Sequence, residues 1–189
     1  MRNFNVLIFD LQSKQDTVVK RYEKGNLKIF LLNEAITFDE KTINLIKTDL
    51  KMYLQCKKIN PDLLGNSYSL KILSKKAIDL MLPFIKDDVQ IIDLDLINDA
   101  THEIITGYSL VHPIRSFRCL NFDKTEFVDK DEPVVLGNDI TIQSQNIPDN
   151  IHIFRLEENP HYVIISQELL EAITGKGLTG MCVIVCDSE

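Results

Sequence analysis

The sequence lacks the features that mark exported, membrane-spanning or disordered proteins. No stretch approaches the roughly 18 consecutive apolar residues that a membrane helix needs. The apolar run from Val6 to Phe9 is too short for the core of a secretory signal, and Asp10 follows it directly. No low-complexity block is present, and 44% of the residues are apolar, which suffices for a folded core. We therefore expect a soluble protein of the cytoplasm that contacts no membrane.

Cysteine is also scarce in this chain. The four cysteines, Cys56, Cys119, Cys182 and Cys186, are spread along the sequence in apolar contexts, which predicts reduced thiols buried in the core. Cys182 and Cys186 would share one face of a strand and could form a C-x3-C metal pair. However, the sequence contains no second Cys/His pair with ligand spacing, so buried thiols are favoured over a metal site. We expect neither a metal ion nor another cofactor.

No catalytic signature accompanies the serines that follow two of the predicted strands. Ser74 and Ser166 lack the flanking glycines of the G-x-S-x-G nucleophile elbow, so helix capping explains them better. The run from Gly175 to Gly180 (GKGLTG) closes a predicted helix, whereas a phosphate-binding loop opens one. We therefore expect a binding protein rather than an enzyme. An enzyme with an unrecognised site is the alternative, and it would be favoured by Ser166 lying within hydrogen-bond reach of His161 and an acid.

Negative charge is concentrated in the second half of the chain. Residues 1–94 hold 15 Lys/Arg and 12 Asp/Glu, a net charge of +3, whereas residues 95–189 hold 6 Lys/Arg and 16 Asp/Glu, a net charge of −10. Such an acidic half argues against nucleic acid as a partner, because phosphate binding depends on cations. It is compatible with the docking of a basic protein, although solubility alone also explains it.

Five acidic residues stand in a charged stretch between residues 123 and 133. They are Asp123, Glu126, Asp129, Asp131 and Glu132. Their spacing lacks the pattern and the central glycine of an EF-hand, which argues against a calcium site. The stretch is either a solvated loop or a loop that faces a protein partner, and these five residues are the candidate partner-binding residues.

Two stretches of the sequence share the order strand, serine, helix, strand. The first consists of residues 68–73, Ser74, a helix that Pro83 limits or kinks, and residues 89–94; the second consists of residues 161–165, Ser166, a helix over 167–174, and residues 181–186. In both, the serine lies 15 residues before the start of the second strand, at Val89 and at Met181. The equal spacing suggests two related modules, although chance pairing of a common motif would give the same pattern.

The other periodic segments complete the predicted fold class. Residues 5–9 and 27–32 read as strands, and residues 39–46 read as a short helical segment that is followed by a strand from Leu50 to Cys56. We therefore predict an α+β (mixed α/β) fold with mainly antiparallel or mixed sheets and few short helices. Residues 1–189 form a single domain in this reading, which can divide into two lobes, 1–98 and 99–189, each with one strand–serine–helix–strand unit.

Short motifs in a fixed order resemble a known family. The motifs are residues 61–64 (PDLL) and 73–77 (LSKKA), residues 118–126 (RCLNFDKTE), and residues 153–156 (IFRL), 165–169 (ISQEL) and 177–180 (GLTG). They resemble a bacterial immunity-protein family of polymorphic-toxin systems, the one named after a myxobacterial representative. Asn121 and Thr125 depart from that family's central "D-C-L-D…S" element.

The resemblance implies a function but assigns no catalytic residues. It implies an immunity-type domain in the cytoplasm that binds a cognate bacterial toxin, encoded next to it, and neutralises it by stoichiometric protein–protein interaction. A regulatory binding module without a toxin partner is the other alternative to the enzyme considered above.

Overall fold

The computed structural model describes residues 2–10, 16–127, 137 and 139–189. Over these residues the protein has an α+β fold with few short helices, as predicted. The strands are β1 (Phe4–Phe9), β2 (Val18–Glu23), β3 (Lys51–Gln55), β4 (Ile72–Ser74), β5 (Val89–Asn98), β6 (Ile104–Pro113), β7 (Ser116–Phe117), β8 (Thr141–Ile142), β9 (Ile153–Leu156), β10 (Val163–Ser166), β11 (Met181–Val185) and β12 (Asp187–Ser188). The α-helices are α1 (Glu40–Asp49), α2 (Lys75–Ile85) and α3 (Gln167–Ile173), and 3-10 helices span Ile29–Asn33 and Ser144–Asn146.

Most of the strands belong to two five-stranded sheets. The first has the order β11-β1-β10-β9-β7, and its β7–β9 pair at one edge is parallel while the other pairs are antiparallel. The second has the order β2-β3-β5-β6-β4, with β3 and β5 as its parallel pair. Strands β8 and β12 form a separate parallel pair. Both large sheets are thus mixed and mainly antiparallel, which confirms the predicted sheet type.

The two strand–serine–helix–strand units have the same topology. In the first unit, β4 and β5 are both antiparallel to β6, which lies between them, and α2 connects them. In the second unit, β10 and β11 are both antiparallel to β1, which lies between them, and α3 connects them. Each helix therefore crosses over one inserted antiparallel strand and joins two strands that run in the same direction.

The inserted strands come from opposite directions along the chain. Strand β6 follows β5 directly, whereas β1 is the first strand of the sequence and lies in the sheet of the second unit. The predicted boundary between the two lobes lies between residues 98 and 99. This position falls in the turn that joins β5 to β6, where Asn98 N donates to Glu103 O at 2.9 Å. The two sheets therefore do not divide the chain at that position.

The prediction of a strand over residues 27–32 was wrong, because Ile29–Asn33 is a 3-10 helix. Ile29 and Leu32 are both buried, while Phe30 between them is 58% exposed. A 3-10 helix has three residues per turn, so side chains three apart share a face. The alternating apolar residues that suggested a strand therefore belong to a helix with three residues per turn.

The helix of the first unit continues past its proline. Helix α2 extends to Ile85 with Pro83 inside it, and Ala77, Ile78 and Met81 are buried. Leu82, by contrast, is 38% exposed. Leu82 lies about 100° further around the helix than Met81, which turns it away from the buried stripe.

Helices α2 and α3 pack together and share one hydrophobic cluster that includes residues of both sheets. The buried members of this cluster are Leu7, Leu63, Leu73, Ala77, Ile78, Met81, Ile85, Val89, Val111, Ile153, Val163, Ile165, Leu169 and Ile173. A second cluster lies between α1 and the β2-containing sheet, and a third lies under β1, β9 and β10. Burial of this apolar surface is the dominant favourable term in folding, so the shared cluster is what holds the two units together. Among the residues described, no helix is both long and apolar enough to cross a membrane.

Candidate functional site

Ser74 caps α2, as predicted, and is itself held by Asp62. The Ser74 hydroxyl oxygen accepts a hydrogen bond from Ala77 N at 3.2 Å, while its O–H donates to Asp62 Oδ1 at 2.5 Å. Ser74 N also donates to the main-chain oxygen of Asp62 at 2.8 Å. One residue on the neighbouring segment therefore binds both the backbone and the side chain of the cap serine.

Ser166 caps α3 in the same manner, with His152 in the role of Asp62. Its hydroxyl oxygen accepts from Leu169 N at 3.1 Å, and the same oxygen lies 2.8 Å from His152 Nδ1. Ser166 N donates to the main-chain oxygen of His152 at 3.0 Å. Arg2 Nη2 lies 3.5 Å from the same Nδ1. Because a guanidinium can only donate, Nδ1 is an acceptor, and the Ser166 O–H donates to it.

The Ser166–His152 pair has the composition of a nucleophile and a base, but it is not placed for chemistry. Ser166 is fully buried, and its hydroxyl is committed to the helix cap and to the imidazole. A nucleophile needs access to its substrate, so this pair positions a helix. Burial, and then the charge of Arg2, lower the pKa of His152, which keeps the imidazole in the neutral form that accepts this bond.

Asp62 also connects the first unit to the loop that follows α3. Its Oδ2 accepts from Thr179 N at 2.9 Å and from Thr179 Oγ1 at 3.3 Å, and Asp62 N donates to Thr179 O at 2.9 Å. Gly180 has a φ of +74°, and a Cβ there would lie 2.5 Å from Pro61 Cβ and 2.6 Å from Leu63 O. We call Asp62, Ser74, Thr179 and Gly180 the Asp62 clasp.

The clasp explains the role of the glycine-rich run over residues 175–180, and it brings three separate segments of the sequence into contact. Residues 61–64, 73–77 and 177–180 all contribute to it. The run over 175–180 closes α3 and then binds residues 61–63, as a structural connection rather than a phosphate loop. Three of the motifs that carry the family resemblance are therefore in direct contact.

The predicted partner-binding residues lie only partly in the described structure. Asp123 and Glu126 are exposed, whereas Asp129, Asp131 and Glu132 lie outside the described residues. Asp123 N donates to Asn121 Oδ1 at 3.0 Å, which fixes the start of the turn. Glu126 N donates to Asp139 O at 2.7 Å. Asp123 and Glu126, two of the five candidates, are thus on one turn, and a third acidic residue, Asp139, also joins it.

An aromatic pair, which the sequence analysis missed, accompanies these acids. Phe122 is 45% exposed and stacks on Phe127 with ring centroids 5.5 Å apart and an interplanar angle of 22°. Lys124 and Thr125 line the same depression as the two rings. The rings and three acids, Asp123, Glu126 and Asp139, make up the rest of its lining. We call these five residues the acidic–aromatic surface. Two phenylalanines within a charged stretch, Phe122 and Phe127, were the sequence signal that could have identified it.

A second feature missed by the sequence analysis is a group of basic residues between the two sheets. Lys71 is 3% exposed, and burial, with the charge of Arg155, lowers its pKa to about 7. Arg155 is buried, and its guanidinium donates to Pro160 O at 2.6 Å and Leu32 O at 2.9 Å. Burial lowers its pKa to about 10. A single charged residue inside each apolar run, LKIL and IFRL, was the available signal.

Two histidines complete this basic group, and both interact electrostatically with Arg155. Burial lowers the pKa of His112 to about 4, although its ring bonds Ile36 O at 2.9 Å. Burial, then Arg155 and Lys71, also lower the pKa of His161. Both rings are therefore neutral near pH 7, and the permanent charge of this region belongs to Arg155.

The cysteines do not all lie in the core. Cys119 and Cys186 are buried, whereas Cys56 and Cys182 are exposed, so the prediction of four buried thiols was wrong for two of them. Cys182 lies on β11, where alternate side chains of an edge strand face outward. Within the described ranges, no three His, Cys, Asp or Glu side chains cluster closely enough to hold a metal ion.

The chain was also compared with known proteins. No protein-family model matches it, and no curated protein does so either.

Proposed function

We propose that this protein binds a cognate bacterial toxin and neutralises it as a stoichiometric inhibitor. The observation that carries the proposal is the Asp62 clasp, in which residues 61–64, 73–77 and 177–180 are in contact. These are three of the motifs that resemble the immunity-protein family. Residues 61–64 and 177–180 are far apart in the sequence, so their contact in the fold supports reading these motifs as parts of one structural unit.

The clasp belongs to the scaffold, so the partner is bound elsewhere. The acidic–aromatic surface supplies what a protein interface needs: an exposed aromatic anchor at Phe122 and negative charge at Asp123 and Glu126. Aromatic side chains carry much of the binding energy at interfaces, while charge complementarity speeds association and selects partners. A basic toxin domain fits this surface, and a stable complex would bury about 1,600 Å² in total.

The test is the coexpression of this protein with the toxin encoded next to it. We expect the unaltered protein to restore growth and to form a 1:1 complex with the purified toxin domain. Phe122→Ala should weaken binding on the order of 30-fold by removing the anchor, and Asp123→Lys should weaken it further at low salt. Asp149→Lys reverses an exposed charge in the same acidic half and is the matched control.

Two outcomes would contradict the proposal. The first is the absence of rescue, and of complex formation, by the unaltered protein with every toxin-like neighbour. The second concerns the surface alone: equal weakening by Asp149→Lys and Asp123→Lys would mean that net charge, and not this surface, determines binding.

A further inference from the structure

A cavity of about 270 Å³ lies between β1 and the loops that precede β4 and β10. One wall is apolar and consists of residues 6–9 of β1. The other wall is polar and contains Ser69, Lys71, Asn159, His161 and Tyr162. The cavity therefore has an apolar side and a polar side, which is typical of sites for small organic ligands.

Lys71 is the charged group on the polar wall, and it has few partners. Its Nζ donates to Ser69 O at 3.1 Å, although an ammonium has three N–H donors. Over residues 2–10, 16–127, 137 and 139–189, no carboxylate lies within ion-pair distance of Lys71. A buried cation without a counter-ion is costly.

Ser69, which accepts from Lys71 Nζ, is itself held in an uncommon conformation. Ser69 has a φ of +57°, in the left-handed region that residues with a Cβ rarely adopt. This conformation directs the Ser69 carbonyl oxygen to Lys71 Nζ. Strained backbone of this kind concentrates at ligand-binding positions, and here it orients the lysine that lines the cavity.

Arg155 is a second buried cation whose hydrogen bonds go to neutral main-chain oxygens. Its two terminal nitrogens donate to Pro160 O and Leu32 O, so its charge is not neutralised by those neutral partners. It also opposes the charge of Lys71 electrostatically. When Lys71 is protonated, its ammonium in the cavity wall and the charge of the buried Arg155 create a positive potential there, although the chain as a whole carries a formal charge of −7.

We propose that this cavity binds an organic carboxylate, with Lys71 Nζ holding the carboxylate and residues 6–9 packing against the apolar part of the ligand. A single carboxylate matches one lysine, because Lys71 lines the cavity whereas Arg155 does not. A phosphate would bring more charge and more acceptors than these donors satisfy. The carboxylate belongs either to a free small acid or to the C-terminus of a bound protein.

The experiment is a thermal unfolding titration of the full chain near pH 6, with butyrate as the probe. Sodium chloride at equal ionic strength controls for screening, and butyramide has nearly the same shape as butyrate without the charge. We expect the Tm to rise by roughly 5 °C at saturating butyrate and to stay unchanged in butyramide. Saturation-transfer NMR should also carry magnetisation from protein methyl groups to butyrate in the unaltered protein.

Lys71→Met removes the charge and keeps the length of the side chain, so we expect a folded protein whose Tm no longer responds to butyrate. Lys75→Met, at an exposed lysine nearby in the sequence, should respond like the unaltered chain. No Tm rise and no saturation transfer with any carboxylate would overturn the proposal. An equal butyrate response of Lys71→Met would overturn it as well.

A second arm separates the two sources of the carboxylate. A short peptide that ends in valine with a free C-terminus is compared with the same peptide carrying a C-terminal amide. Butyrate binding identifies a site for free small acids, whereas binding of the free-ended peptide alone identifies a site for a protein C-terminus. Equal binding of both peptides, without a butyrate response, would overturn the proposal, because the carboxylate would then contribute nothing.

Discussion

The two strand–serine–helix–strand units share their backbone geometry and differ in the side chain that holds the cap serine. Ser74 is bound by Asp62 and Ser166 by His152, and in each case one residue accepts both the serine N–H and the serine O–H. Antiparallel pairing places that residue, since Leu63 pairs with Leu73 in the first unit and Ile153 pairs with Ile165 in the second. The backbone therefore sets the position of the acceptor and leaves its chemistry free to vary.

The difference in chemistry changes what each cap can do. A carboxylate has two oxygens, so Asp62 accepts from Ser74 with one and from Thr179 with the other. A neutral imidazole has one acceptor nitrogen, and in His152 that atom faces Ser166 and Arg2. The first cap thus also joins the two units, while the second stabilises its own helix.

The largest effect should come from filling the close approach at Gly180. Gly180→Ala adds a Cβ that meets Pro61 and Leu63 O at a φ of +74°, so we expect a loss of about 4 kcal/mol in the free energy of unfolding. Gly107→Ala is the matched control, because its φ is +88° and nothing lies within 4 Å of the added carbon. We expect it to cost about 1 kcal/mol. Urea unfolding measures both, and equal losses would contradict the close approach.

Removal of the Asp62 carboxylate should have the next largest effect. Asp62→Ala deletes charge-assisted bonds to Ser74 and Thr179, so we expect a loss of about 3 kcal/mol in the free energy of unfolding. Asp87→Ala, at an exposed acid, should change stability by less than about 0.5 kcal/mol. Hydrogen exchange should show faster opening of residues 177–180 in Asp62→Ala, and unchanged exchange there would contradict the role of Asp62 as a link between units.

The sequence predicts the caps but not their acceptors, because the capping signal is local whereas the strand pairing that supplies the acceptors is not. A serine between a strand and a helix is a local signal, so Ser74 and Ser166 can be identified from their neighbours. Asp62 and His152 lie 12 and 14 residues upstream, and only the strand pairing brings them to the serines. Non-local pairing of this kind has no periodicity that a single sequence reveals.

The candidate sites show the same limit. Asp123 and Glu126 were predicted from charge, which is visible in composition, whereas the exposure of Phe122 depends on how the turn folds. The burial of Lys71 and Arg155 was signalled only by their apolar neighbours, and the cavity that Lys71 lines is formed by three segments that are distant in the sequence. Local chemistry is therefore readable from the sequence, and the assembly of distant groups is not.

A smaller effect compares the two cap serines directly. Ser166→Ala leaves Leu169 N and His152 Nδ1 without their shared partner in a fully buried position, so we expect a loss of about 2 kcal/mol in the free energy of unfolding. Ser74→Ala should cost about 1 kcal/mol, because Ser74 is only partly buried and Asp62 keeps its bonds to Thr179. Urea unfolding of both variants tests the order, and a larger loss for Ser74→Ala would reverse our account of the two caps.

The smallest effect is a difference in pH dependence, because only the second cap uses a group that titrates near neutral pH. The pKa of His152 is lowered in the folded protein, so the unfolded chain binds a proton first as the pH falls. Its contribution is therefore complete above about pH 6.5 and is lost as the pH falls through the folded pKa.

His152→Asn replaces Nδ1 with an acceptor that does not titrate, and should reduce the acid-side loss by on the order of 0.5 kcal/mol, since solvent screens this partly exposed ring. His102→Asn, at an exposed histidine, is the control in urea titrations between about pH 7 and 5. An unchanged pH slope in His152→Asn would mean that His112 and His161, whose pKa values burial also lowers, account for the acid sensitivity instead.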